Sequence, residues 1–435
     1  MTHDESATWL YGQERAILPS LFDPLAWGTA NNHYLNSLFI KAGNTLFGYG
    51  EIQNRYHSVL SFLLYGFWGI HLIQRLFKSS IAKSIALFFI FFNPYLLDFF
   101  SLARGYAGAT AMLMGGIFFL ISYLEENRLK DLILLYSCLI IGSLFLFTHL
   151  LFIPIFTAIV WWNLFTKKSF TKVSIFIPLV STIILTLLTY IPITTLKRNA
   201  EFGWGSNSLW KSLREIIYDS FYGAPILGPR TYGILTLIII IAISLVIFKC
   251  WKHPKNVKIV PIIQGFLLTL FTLIVAHNFL GIQYPSDRKG LIYLPFLCLI
   301  IPVLFDEEYN KIYIYMGFLM LIFPVWLFVR NFDIQKTHEW YYDYKTKNFI
   351  NIVIDDAAGT KASLATHWLF HWSTTYYLKT TENHQINQSS YSKEIDTLHL
   401  FDYYLVEKKE VERLMDKYTP FSEPDRYGHV VLKKR

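Results

Sequence analysis

Apolar residues fill most of this chain in runs of about 18 to 22, the length a helix needs to cross the hydrocarbon core of a bilayer. These runs predict about ten spans, near residues 56–77, 82–100, 105–124, 131–148, 150–165, 173–193, 232–250, 259–279, 290–305 and 311–330. The two ends break the pattern. Residues 1–55 are polar and read as a first extramembrane loop with short helices. Thr2 and Glu5 have capping-box spacing, which predicts a helix to about Leu18, ended by Pro19 and Pro24. His33 to Phe47 reads as an amphipathic helix lying at the interface. The tail, 331–435, is charged and rich in Trp and Tyr. Alternating runs at Phe349–Ile354 and His429–Leu432 suggest strands and a small α/β domain.

Composition agrees with the pattern. Of 435 residues, 53% are hydrophobic, 18% aromatic and only 16% charged, with a mean hydropathy of +0.35. A soluble domain carries about 25% charged residues. The fold class is therefore an α-helical polytopic membrane protein, with residues 1–330 forming the transmembrane part and 331–435 an α/β domain. The net charge of +8 raises the question of nucleic acid, but the basic residues fall in short clusters between apolar runs. Arg75/Lys78/Lys83, Arg128/Lys130, Lys167/Lys168/Lys172, Lys249/Lys252/Lys255/Lys258 and Lys311 occupy alternate connections, as cytoplasmic loops do. Nucleic-acid binding is excluded on that ground. Residues 1–55, the Arg104 turn, the His149 turn, the long loop 194–231, the loop 277–289 and the tail then face outward. With an even number of spans both termini lie outside, so either the N-terminus translocates unaided or, as the favoured reading, a further membrane helix stands upstream of Met1. Cys138, Cys250 and Cys298 have neither pairing nor metal-ligand spacing, and no cleavable leader is evident at the N-terminus.

Candidate chemistry concentrates in the outward segments. Asp4 and Glu5 are adjacent carboxylates; one can deprotonate a hydroxyl while the other holds a divalent cation, or both can serve the first turn of a helix. His33, Asn36 and Arg55 follow in the same loop. Arg104 stands where two apolar runs meet, a costly place unless it is paired or faces a polar cavity, and Gly105 and Tyr106 add a tight turn and a hydroxyl. Arg288 and Lys289 break the positive-inside rule and suit an anionic phosphate. His149 reads as a helix-end residue. His367 and His371 have i,i+4 spacing but no glutamate between them, and read as packing in the tail. Trp340, Trp368 and Trp372 read as core in preference to a platform on which an acceptor or glycan sugar would stack.

Taken together, Asp4-Glu5, Asn32-His33-Tyr34-Leu35, the Ser101 to Tyr106 turn and Tyr284-Pro285 through Arg288 resemble the membrane glycosyltransferases of the GT-C architecture. That group holds the protein O-mannosyltransferases and the lipid A aminoarabinose transferases. The likeness covers residues 1 to about 330; the arginine turn is one residue tighter than in the family, and the family's acidic pair follows a membrane helix. It implies an enzyme of the plasma (inner) membrane, with its catalytic face extracytoplasmic. Such an enzyme moves a sugar, with inversion, from a polyprenyl-phosphate donor to a hydroxyl of a lipid, glycan or protein acceptor. Asp4 would be the base, with Glu5 beside it. Arg104, Tyr106, Arg288 and Lys289 would bind the donor phosphate, supported by His33, Asn36 and Arg55. A divalent cation, if required, would sit on Asp4 and Glu5. The alternatives are a flippase of lipid-linked saccharide, or a polysaccharide ligase or polymerase.

Overall fold

The structure, a computed structural model, describes residues 1–14, 21–222, 228–252, 258–306, 311–333, 335–397 and 399–435. Pro19, Leu18 and Lys255 lie outside the described residues. The chain divides into two compact units. The first takes in Met1–Ala16, Phe39–Asn54 and Asp333–Arg435, and the second Ile17–Leu38 and Arg55–Phe332.

The second unit is helical. Among the described residues seven helices are long and apolar enough to cross a membrane: Glu51–Leu76, Gly105–Glu126, Phe147–Thr166, Lys172–Arg198, Arg230–Lys252, Val260–Leu280 and Asp287–Phe305. The run expected at 82–100 is a pair of helices, Ser80–Phe91 and Pro94–Ser101, bent by 46°. Pro94 causes the break: it has no N–H to continue the first helix, and Asn93 caps the second by accepting from the Leu96 N–H at 3.0 Å. The run expected at 131–148 is the 17-residue helix Leu129–Phe145, and the last is Lys311–Asn331. All the apolar runs are thus helical, and the chain is a multi-pass membrane protein, but only part of the set reaches full span length by itself.

The helix Gly105–Glu126 is central to this unit, with 89% of its apolar window buried. It packs along Leu129–Phe145. At Gly108 an added Cβ would come within 2.6 Å of the Phe145 ring, so the small residue sets the helix separation. The charged connections gather at two ends. At one, Arg75 bonds Glu125, Arg128 bonds Asp131 at 2.8 Å, and Lys258 lies 3.3 Å from Glu125. These are clusters that the charge pattern assigns to one side. At the other end lie the Arg104 turn, the 3₁₀ turn Phe147–Leu151 with His149, and Ser206 paired with Tyr284. The long loop after Lys172–Arg198 holds an amphipathic helix, Leu209–Ser220, that buries Ile216 and Ile217.

The first unit carries a five-stranded sheet in the order β2-β1-β3-β5-β4. Here β1 is Ala362–Thr366, β2 Ile386–Gln388, β3 Tyr403–Val406, β4 Tyr418–Pro420 and β5 Val430–Lys434. β1 pairs parallel with β2 and with β3, while β5 runs antiparallel to β3 and β4. The expected strand at His429–Leu432 is β5. Phe349–Ile354 is instead part of the helix Thr346–Ala357, because Thr346, Phe349, Ile350, Val353 and Ala357 bury one helical face. The helix His3–Glu14 belongs to this unit and packs on the helix Trp368–Thr380, with Trp9 edge-on to Tyr376 at 4.9 Å.

Candidate functional site

Within the second unit, helix ends and loops bring Asn31, His33, Arg104, Tyr106 and Arg288 into one group. Arg104 is the N-cap of Gly105–Glu126, with extended backbone (φ −131°, ψ 149°). Its guanidinium is fully buried. Nη1 donates to the Asn31 carbonyl at 3.3 Å, and Nη2 to the same residue's Oδ1 at 3.2 Å. These two oxygens of Asn31 match the planar fork and orient it.

Gly105 makes this convergence possible. A Cβ there would fall 2.1 Å from the Phe145 carbonyl and 3.0 Å from the His33 side chain. His33 is buried, with its ring 5.3 Å from Tyr106 in an edge contact. The Phe145 carbonyl bonds one ring nitrogen, while Nε2 has no hydrogen-bond partner. A carbonyl can only accept, so the nitrogen facing it carries the proton and Nε2 presents a lone pair. Burial, then the positive charges of Arg104 and Arg288, hold this imidazole well below its ordinary pKa of 6.5. His33 is therefore neutral at pH 7, in a field made positive by two guanidiniums. Arg288 is oriented by Tyr106, whose hydroxyl accepts from its Nε at 3.1 Å.

The other candidates have different settings. Lys289 gives its ammonium to the Trp204 carbonyl at 2.7 Å, tying the Tyr284–Lys289 segment to the long loop. Asn36 is fully buried and its Oδ1 lies 2.8 Å from His57 Nε2, leaving its own Nδ2 without a partner. Arg55 is half-buried on Glu51–Leu76, two residues before His57. His149 packs its ring against Phe152 at 5.3 Å. Sequence reasoning assigned no role to Asn31 or His57: Asn31 stood within the polar stretch that drew attention, whereas His57 lies in an apolar helix and gave no signal.

Asp4 and Glu5 lie in the first unit, in the first turn of His3–Glu14. Glu5 completes the expected capping box, accepting from the Thr2 N–H at 2.8 Å while its own N–H reaches Thr2 Oγ1 at 3.4 Å. Asp4 is buried beside it. Among the described residues, the one group of three metal-type ligands is His367, Glu407 and Glu410, and neither Asp4 nor Glu5 belongs to it.

No family profile and no curated protein matches the chain by sequence. Solved structures do. The crystal structure of ArnT from Cupriavidus metallidurans bound to undecaprenyl phosphate matches with a TM-score of 0.55 at 10% identity, over 99% of this chain and 92% of that one. The chain has the fold of ArnT. The apo crystal structure of ArnT from the same organism aligns over 99% of this chain and 93% of its own, with a TM-score of 0.45 and 11% identity. ArnT is a lipid A aminoarabinose transferase, so its fold is one that the sequence resemblance implied. At 10% identity the match with ArnT concerns architecture, and the roles of individual residues rest on the chemistry of this chain.

Proposed function

We propose that the chain is a glycosyltransferase of the plasma membrane that moves a sugar from a polyprenyl-phosphate donor to an acceptor hydroxyl at the outer face, with inversion. The observation that carries this reading is the pair of guanidiniums around neutral His33. Arg104 is buried and held by Asn31, and Arg288 is held by Tyr106. Fixed cations at the end of a helical bundle suit a lipid phosphate, which gains negative charge as the sugar leaves. Support also comes from the fold, since the matching ArnT structure holds undecaprenyl phosphate.

In the proposed reaction the acceptor oxygen attacks the anomeric carbon from the side opposite the phosphate. The bond from that carbon to the phosphate oxygen breaks, and its electron pair stays with the phosphate, beside Arg104 and Arg288. The acceptor's proton passes to a carboxylate, the role that the resemblance in sequence gives to Asp4. One base and one stabilised leaving group suffice for a single displacement. His33 Nε2, a lone pair in a positive field, suits a hydrogen bond from a sugar hydroxyl.

The deciding assay follows label from polyprenyl-phosphate sugars in membranes containing the wild type, Asp4→Asn or Arg104→Lys. Consumption of donor by the wild type and its loss in both variants supports the reading. Donor that crosses the bilayer unchanged, equally with all three proteins, replaces it with lipid transport.

A further inference from the structure

The first unit carries a cluster with no part in that reaction. The helix Trp368–Thr380 links β1 to β2 on one side, whereas the chain leaving β3 enters Lys408–Leu414 and passes to β4 and β5 on the other. The connections from the carboxyl ends of two neighbouring parallel strands therefore diverge. In open α/β sheets the crevice at such a divergence is where ligands sit.

Two of the residues that stand there are placed by the strands themselves. His367 directly follows β1, and Glu407 directly follows β3, with Thr366 in register with Leu405. Glu410 lies one turn into the next helix. His367 is 3% exposed; its Nδ1 has no hydrogen-bond partner, and its Nε2 lies 3.4 Å from Glu410 Oε1. One ligand atom from each of the three residues lies within 4.8 Å of the other two. Donors on a tetrahedral ion, at bond lengths of roughly 2.0–2.2 Å, stand about 3.3–3.6 Å apart. The imidazole–carboxylate separation already has that value.

We infer that His367, Glu407 and Glu410 bind one divalent transition-metal ion of the zinc class, clamping the end of β1 to the helix after β3. One imidazole with two carboxylates suits zinc or manganese better than calcium, which takes six or more oxygens. Glu407 is the least buried of the three. Its carboxylate now caps the helix Lys408–Leu414, in a box where Glu410 Oε2 accepts from the Glu407 N–H at 3.4 Å, and lies 2.6 Å from the Lys409 ammonium; binding the ion exchanges these contacts for coordination. The electrostatics agree: burial raises the Glu410 carboxyl and lowers the His367 imidazole, each toward its uncharged form. A dication there favours carboxylate and neutral imidazole together. The buried pair Asp425 and His429, 2.9 Å apart, also acts on His367, through the His429 charge. His371, one turn along the helix from His367, is turned to Gln388 at 3.2 Å, so the helical histidine pair is not the ligand set.

The test uses the full chain, purified in detergent, stripped with chelator and titrated with Co²⁺ and Zn²⁺. Visible ligand-field absorption reports cobalt, and calorimetry reports zinc. The expected result is one equivalent per chain in the wild type and in His371→Gln, and loss of both signals in His367→Gln and Glu407→Gln. Circular dichroism and gel filtration check each fold; Glu407→Gln, at a partly exposed position, serves if His367→Gln does not fold. A stripped wild type that takes up neither ion overturns the inference, and so does undiminished binding by folded Glu407→Gln.

Discussion

Arg104 grips Asn31 by two oxygens at once, the backbone carbonyl at 3.3 Å and the side-chain Oδ1 at 3.2 Å. The contact joins residues 73 positions apart and fixes a buried guanidinium at the mouth of a membrane helix. Lysine retains the charge but has no planar fork with which to hold both oxygens. Arg104→Lys is therefore expected to lower kcat/KM for a polyprenyl-phosphate sugar by about 100-fold. Gel filtration and thermal unfolding should show an intact protein. Wild-type turnover in the folded variant would remove Arg104 from the phosphate site.

Gly105 is the position where backbone geometry is tightest. In Gly105→Ala the new Cβ meets the Phe145 carbonyl, a backbone atom that cannot swing aside. The expected cost is about 1–3 kcal/mol of stability, read as a lower unfolding temperature. Transfer should fall further than stability, since His33 is the other group displaced. A variant as stable and active as the wild type would contradict the close approach.

The two adjacent acids should separate in their behaviour. Glutamine can replace glutamate in a capping box, so Glu5→Gln is expected to fold and turn over much like the wild type, while Glu5→Ala loses about 1 kcal/mol. Asp4→Asn is expected to abolish transfer without loss of stability. If Glu5→Gln instead abolishes transfer in a folded protein, the carboxylate of Glu5 has a chemical task that its cap does not explain.

Acid should destabilise the first unit through His371. Burial, with the charge of His3 adding to it, pushes this imidazole down to about 4 from an ordinary value of 6.5. The fold therefore favours the neutral form. Its contribution is complete above pH 6.5 and is lost as pH falls from there to about 4. The unfolding temperature of the wild type should drop between roughly pH 7 and pH 5, and His371→Gln should drop less. Equal pH slopes for the two proteins would assign the effect to other histidines.

The sequence by itself determined the elements whose cause is local. Apolar runs of membrane length became helices because a helix satisfies its own backbone in lipid. Thr2 and Glu5 marked a helix start because the capping box is contained within four residues. Charge alternation between the runs foretold which connections share an end, as Arg75, Arg128 and Lys258 do around Glu125, Glu126 and Asp131. Arg104 was legible as unusual because a guanidinium among apolar residues needs a reason.

Tertiary structure alone decided the rest. Phe349–Ile354 alternates like a strand, yet it is helical, since the face that packs is Phe349, Ile350 and Val353. His3–Glu14 belongs with the sheet formed some 350 residues later through Trp9 and Tyr376, a pairing that no local pattern encodes. Asn31 as the partner of Arg104, the Phe145 carbonyl behind His33, and Glu410 beside His367 are meetings of distant segments. They arise when helices and strands close on one another, because packing selects which side chains converge and burial then sets their charge.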